Sequence, residues 1–468
     1  MRFPHSFPYD FMHLIWENLI KNLIKLWTGQ FKGMDCGTGD YQFEKEVWQA
    51  IGDATAASGS TIPSAYGVRV PNVAGDGVYL TADMLSFWAM YLGPILMRSR
   101  FKHVRYYNHF IRLVKLLNVC LQFEMTSEEI EDVRLGFISW VKDYERFYYQ
   151  YDAERLPMCP LTIHALLHIA PSIKVSGPVW CYWAFPMERY CGKLLPAIRS
   201  RRFPFASLAR HVVEDARLTQ ISTIYGVSRE LALLPPRVGP ISGTFIDPVA
   251  YPTCRLHPPR NVKRPEENTL VLLVGALVTR FNDNERGIKV TPSTVRRCLR
   301  EADIEEWAKL QTIDSDRGDM MRASELGATR DDSRDASFVR YQMYVDLNAL
   351  RRNARPKYEL QTFYGQLLRI YLIRFQQPCP QLGLSEPSTI IMASIKTCNL
   401  LQEQIPGLDI HFYSTMGKTD VIDATSLQCL VGRINCGHNK WAIIDRSGSL
   451  ARAQAESGID IVDNEPDV

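Results

Sequence analysis

Gly177-Pro178-Val179-Trp180-Cys181-Tyr182-Trp183-Ala184-Phe185-Pro186-Met187-Glu188-Arg189-Tyr190 sets one carboxylate into an aromatic, otherwise apolar run. About one helix-length later Arg199, Arg201 and Arg202 form a basic cluster, with Lys193 and Arg210 near it. An unpaired buried charge costs several kcal/mol, so Glu188 either answers a structural partner or does chemistry. Pro186 suits the first position of a helix, which predicts a short helix over Met187–Leu195. Read plainly, Glu188 then completes a helix N-terminus, where a negative charge is stabilising by about 0.3–1 kcal/mol. The arginines read either as phosphate contacts or as cations placed favourably at a helix C-terminus. Trp180, Tyr182, Trp183 and Phe185 are core packing or a surface on which a base could stack.

Upstream, the periodicity from Phe11 to about Gln220 is helical. Ile15, Leu19, Leu23 and Trp27 repeat every four residues, with His13, Glu17, Lys21 and Lys25 on another face. Tyr107, Ile111, Val114, Leu117 and Leu121 form a second stripe, and Ile130, Val133, Phe137, Tyr144 and Tyr151 a third. Thr126 with Glu129 three residues on is a capping-box start for that third helix. Asp10, in Phe7-Pro8-Tyr9-Asp10-Phe11-Met12-His13, can cap the helix that begins at Phe11. Pro160 and Pro171 bracket a short helix holding His164 and His168, four apart on one face. No third ligand follows at a fitting distance, so these two histidines read as a core or pocket-lining pair.

Downstream the pattern changes. Pro235, Pro236, Pro240, Pro248, Pro252, Pro258 and Pro259 predict a linker or extended wrap over 222–268, with two or three helices over 269–312. A charged loop then covers 313–336. From Val339 the residues alternate with period two, and Phe363–Phe375, Ser388–Thr397, Val421–Ile434 and Trp441–Ile444 read as further strands. The expected organisation is α+β: a helical part over 1–222, a Pro-rich linker with short helices over 223–336, a small antiparallel β module over 337–453, and a disordered acidic tail over 454–468.

The 468 residues are 46% apolar and 22% charged, which describes a globular chain and excludes a wholly disordered one. A net charge of +3 leaves any nucleic-acid surface to be local. Eleven cysteines without a C-x-x-C pair suggest neither a zinc site nor a disulfide framework. With no secretory signal and no stretch long enough to span a bilayer, the expected location is nuclear or cytoplasmic.

Three elements in order resemble the CACTA-type (En/Spm-like) DNA transposases, fungal branch, C-terminal portion. Asp10-Phe11-Met12-His13 resembles the family's aspartate-x-x-histidine signature. Gly177-Pro178-Val179 through Glu188-Arg189-Tyr190 resembles its Gly-Pro-Val…Glu-Arg-Tyr segment, and Arg199–Pro204 its basic continuation. Ile443-Ile444-Asp445-Arg446-Ser447-Gly448 is similar to the end of the fungal versions. The resemblance implies a ribonuclease-H-like lineage in which three acids hold two Mg²⁺ or Mn²⁺ ions about 3.5–4 Å apart for cut-and-paste DNA transposition. It makes Glu188 the third acid and a metal ligand. It puts Asp10 near or at the second acid, with His13 beside it, and assigns DNA contact to Lys193, Arg199, Arg201 and Arg202. Only nine residues precede Asp10, so the strand bearing the first acid is expected to be missing, and the chain to be inactive alone. The partners it implies are transposon-end DNA and another copy or an intact transposase. A non-enzymatic DNA-binding or dimerising remnant is the alternative.

Overall fold

The structure, a computed structural model, describes residues 7–228, 230–231, 245–247, 249–282, 289–312, 319–326, 334–348, 354–446 and 450. The charged stretches 313–318 and 327–333, Pro235, Pro236, Pro240, Pro248, Ser447, Gly448 and the acidic tail lie outside them. The chain is mixed helix and sheet, with most of the helices first and an antiparallel sheet, interrupted by two further α-helices, after.

In the helical part the stripes read from sequence are buried. Ile15, Leu19, Leu23 and Trp27 are nearly inaccessible along Met12–Ile20, which is π-wound, and its continuation Lys21–Trp27. The second stripe lies on the buried side of Val104–Cys120 and just beyond its end. Ser127–Tyr144 starts with the capping box: the Glu129 N–H donates to Thr126 Oγ1 (3.2 Å) and the Thr126 N–H to Glu129 Oε2 (2.7 Å). Tyr151 leaves the third stripe because the chain turns at Gln150 and Tyr151, both with positive φ, and its ring is exposed. Fully burying such large apolar side chains contributes about 1.5–3 kcal/mol each.

All the described strands fall within 245–444. They are β1 (Phe245–Asp247), β2 (Tyr251–Asn261), β3 (Asp303–Thr312), β4 (Met320–Arg322), β5 (Phe338–Asp346), β6 (Tyr358–Phe375), β7 (Ser388–Gln404), β8 (Ile410–Asp423), β9 (Leu427–Leu430), β10 (Gly432–Asn435) and β11 (Trp441–Ile444). The main path runs β1-β2-β3-β6-β7-β8-β11-β10, all antiparallel, with β4 on β3 and with β5 between β6 and β9. The long strand β6 pairs along one edge first with β5 and then with β3, and along its other edge with β7. Gly365 sits where a Cβ would meet the Lys396 carbonyl oxygen at 2.7 Å, so β6 and β7 approach more closely there than a side chain allows.

The expected linker is therefore partly sheet, and the β module is larger than 337–453. β2 runs through the proline-rich stretch because its register shifts between His257 and Arg260, leaving Pro258 and Pro259 where no ladder N–H is required. β3 lies within the segment expected to be helical. Its Glu305 and Glu306 are buried, and arginines reached diagonally from β6 neutralise them: Arg374 Nη1 to Glu305 Oε1 (2.7 Å) and Arg369 Nη1 to Glu306 Oε1 (2.9 Å). The helices Glu267–Phe281 and Pro292–Glu301 cover the Ile373, Ile390 and Met392 side of the sheet.

The helical part is joined to the far end of the sheet. Ile405, Ile410, Phe412, Ile434, Ala442 and Ile444 belong to the same apolar core as the first helices. Around that core the Thr61 Oγ1–H donates to the Arg433 carbonyl (2.5 Å), Arg334 Nε donates to the Ile62 carbonyl (2.6 Å), and Arg98 pairs with Glu403 (2.5 Å). Among the described residues no helix is long and apolar enough to cross a membrane.

Candidate functional site

Asp10 stands at the entry of the first helix. Its Oδ2 accepts the His13 backbone N–H (2.9 Å), which satisfies one of the donors a helix start leaves open. The same oxygen lies 2.5 Å from His13 Nδ1, so the cap also orients the imidazole. Oδ1 reaches across the chain and accepts the Ala184 N–H (2.6 Å), one residue before the Phe185–Leu194 helix. That contact ties the two sequence elements together at the level of backbone.

The Phe185–Leu194 helix has Pro186 in its first turn, and its Glu188 N–H donates to the Ala184 carbonyl (2.8 Å). Glu188 lies in the first turn, as the plain reading required, and its side chain is 58% exposed. Its Oε1 nevertheless faces His13 Nε2 at 3.6 Å. The result is an imidazole standing between two carboxylates, Asp10 on Nδ1 and Glu188 on Nε2. Asp10 serves both as a cap and as a member of the constellation.

Gly177 opens the aromatic run with φ +86°, a left-handed conformation that suits glycine. Val179 is buried, Trp180 is partly exposed with Nε1 donating to the Phe123 carbonyl (3.3 Å), and Trp183 meets Phe185 edge to face at 5.1 Å. Trp183 and Phe185 line a cleft with Trp16, Phe87, Asp83 and Arg446. Burial raises the Asp83 carboxyl above the ordinary carboxylate range, partly opposed by Arg446 and Arg189. Neither Asp83 nor Tyr66, another lining residue, stands out in the sequence. Tyr66 carries the link to the sheet, with its hydroxyl 3.1 and 3.0 Å from the carbonyl oxygens of Leu430 and Ile444.

Lys193 ends the Phe185–Leu194 helix, and Arg199, Arg201 and Arg202 occupy the connection from it to the Pro204–Tyr225 helix. All four are exposed, and among the described residues no ion pair involves them. The three arginines precede a helix N-terminus, so the plain reading of a helix C-terminal position fits Lys193 alone. Of the core or pocket-lining reading of His164 and His168, the core placement does not hold: both face solvent at least in part, with Nε2 atoms 3.1 Å apart.

Mg²⁺ or Mn²⁺ implied by the family resemblance would need converging oxygen ligands with free lone pairs. Both Asp10 oxygens already accept protein N–H groups, and His13 stands between Asp10 and Glu188. As arranged, these residues do not form a two-metal cage. Among the described residues no group of three or more His, Cys, Asp and Glu side chains is placed to hold a metal ion. No family model, curated protein or solved structure matches this chain.

Proposed function

We propose that this chain is a DNA transposase-derived protein of the CACTA-type, two-metal cut-and-paste lineage, carrying the insertion region and the third acid of a ribonuclease-H-like enzyme, and that with Asp10, His13 and Glu188 so arranged it is inactive alone. The observation that supports it is the meeting of Asp10, His13 and Glu188. The resemblance assigns these three residues to one site although Asp10 lies 174 residues before Ala184, and they are in contact. His13 bridges the carboxylates, a geometry suited to orienting an imidazole and not to gripping paired Mg²⁺ ions. The purified chain should leave supercoiled plasmid carrying transposon ends intact in Mg²⁺ or Mn²⁺. Metal-dependent nicking abolished by Glu188→Gln would overturn inactivity.

The exposed basic connection favours a second reading, a non-enzymatic remnant that binds transposon ends or pairs with an intact transposase. Arg199, Arg201 and Arg202 lead into the Pro204–Tyr225 helix, which buries none of its residues. Phosphate contacts release counterions, so replacing the three arginines by alanine should flatten the salt dependence of DNA affinity by about 0.9 in log–log slope per lost contact. Gel shifts with terminal repeats over a salt series measure it; an unchanged slope would remove these residues from the interface.

A further inference from the structure

We propose that His164 and His168 form a two-nitrogen binding site for a borderline transition-metal ion of the Cu²⁺, Ni²⁺ and Zn²⁺ class. The inference does not rest on the transposase reading. The two histidines lie on Leu161–Ala165 and on the tight 3₁₀ turn Leu166–His168 that continues it into Ile169–Ser176. Ile163, Ala165, Leu166, Ile169 and Ala170 are buried on the opposite side and anchor this wall in the helical core.

The imidazoles meet edge to face at 4.9 Å between centroids, and their Nε2 atoms are 3.1 Å apart. Two metal–nitrogen bonds of about 2.0–2.1 Å meeting at roughly 90–110° hold their nitrogens about 2.9–3.4 Å apart. The pair therefore has the nitrogen separation that a bidentate bite requires. Tyr9 stacks on the His168 ring at 5.8 Å and steadies its plane. With His164 exposed and His168 half-exposed, an ion enters directly from solvent. No third protein ligand joins the pair among the described residues, so water or an external ligand would complete the coordination. Two imidazoles select nitrogen-preferring metals over Mg²⁺, which prefers oxygen.

Electron paramagnetic resonance of the full chain with one equivalent of Cu²⁺ should show superhyperfine splitting from two nitrogens, unchanged by a hundredfold excess of Mg²⁺. Titration calorimetry with Zn²⁺ should give one site. His164→Asn and His168→Asn should each weaken it by on the order of tenfold or more, as expected when a metal shell is disturbed. His13→Asn should leave the splitting and the affinity in place. Loss of the signal in His13→Asn would assign the ion to the Asp10–His13–Glu188 cluster and overturn the proposal. A wild-type spectrum without two-nitrogen splitting would overturn it too, whatever the variants do.

Discussion

The helical part and the sheet treat their acidic residues in opposite ways. In the sheet, Glu305 and Glu306 are buried, and Arg374 and Arg369 complete salt bridges to them at 2.7 and 2.9 Å. In the helical part, Glu188 stays more than half exposed and meets His13 only at 3.6 Å. Buried acids that are paired hold structure. An exposed acid with one distant partner contributes little to stability and keeps its carboxylate available. The contrast separates residues that build this molecule from those placed to act.

The strongest way to break that contrast is Arg369→Leu. It removes the Nη1 contact to Glu306 and the Nε contact to Glu325 (2.6 Å), leaving Glu306 buried without its cation. Breaking one side of a buried pair costs about 3–5 kcal/mol, so thermal unfolding should move down by on the order of 10 °C. Adding Glu306→Leu to that variant should recover most of the loss, because two apolar residues can replace a buried ion pair at little cost. A shift under about 2 °C for the single variant would mean that the sheet's acids are as lightly held as Glu188.

A second test sits in the helical core, where a titratable group is buried as deeply as the sheet's acids. The His109 ring stacks on Trp140 at 4.3 Å, its Nε2 is 3.1 Å from the Trp140 carbonyl, and Trp140 Nε1 donates back to the His109 carbonyl (3.0 Å). Burial pushes this imidazole from 6.5 down to about 4, partly opposed by the Trp140 carbonyl. Between pH 6.5 and about 4 the unfolded chain takes up a proton at this position and the folded chain does not. Stability contributed by neutral His109 is therefore present above 6.5 and lost as pH falls, by about 3 kcal/mol in all. Denaturant unfolding of wild type against His109→Phe across that range should show the difference between them closing on acidification. A constant difference would show that His109 is not held neutral.

The same contrast explains what the sequence revealed. Where burial follows a simple period, the reading holds: Thr126 and Glu129 build their capping box, and Trp441–Ile444 forms β11 with the predicted bounds. β3 escaped it because Glu305 and Glu306 break the apolar pattern, and their neutralisation depends on the β3–β6 register, a tertiary fact. β2 escaped it because Pro258 and Pro259 forbid regular pairing unless a register shift accommodates them. At the site, Asp10 as a cap was legible from residue type and position. Its approach to Ala184 is a tertiary contact that no spacing in the sequence encodes. The His164–His168 pair was legible as a shared face. Its exposure was not, because the surrounding sequence is apolar on every side.

The smallest expected effect sharpens the comparison most. Glu188→Gln keeps the shape of the side chain and removes its charge. Its stabilising roles are a surface interaction with His13, worth about 0–1 kcal/mol, and a favourable position in the first turn of a helix, worth about 0.3–1 kcal/mol. Because the two draw on the same exposed carboxylate, the loss in denaturant unfolding should stay near 1 kcal/mol or below. Asp10→Asn serves as its counterpart: it keeps one acceptor for the His13 N–H but replaces an oxygen that serves either that N–H or the Ala184 N–H with a donor, so it should cost more than Glu188→Gln. That order places the structural share of the constellation on Asp10 and leaves Glu188 as its exposed arm. If Glu188→Gln instead cost as much as breaking the Arg369–Glu306 pair, Glu188 would be a structural acid like those of the sheet. The assignment of the constellation to function would then fail at its most exposed member.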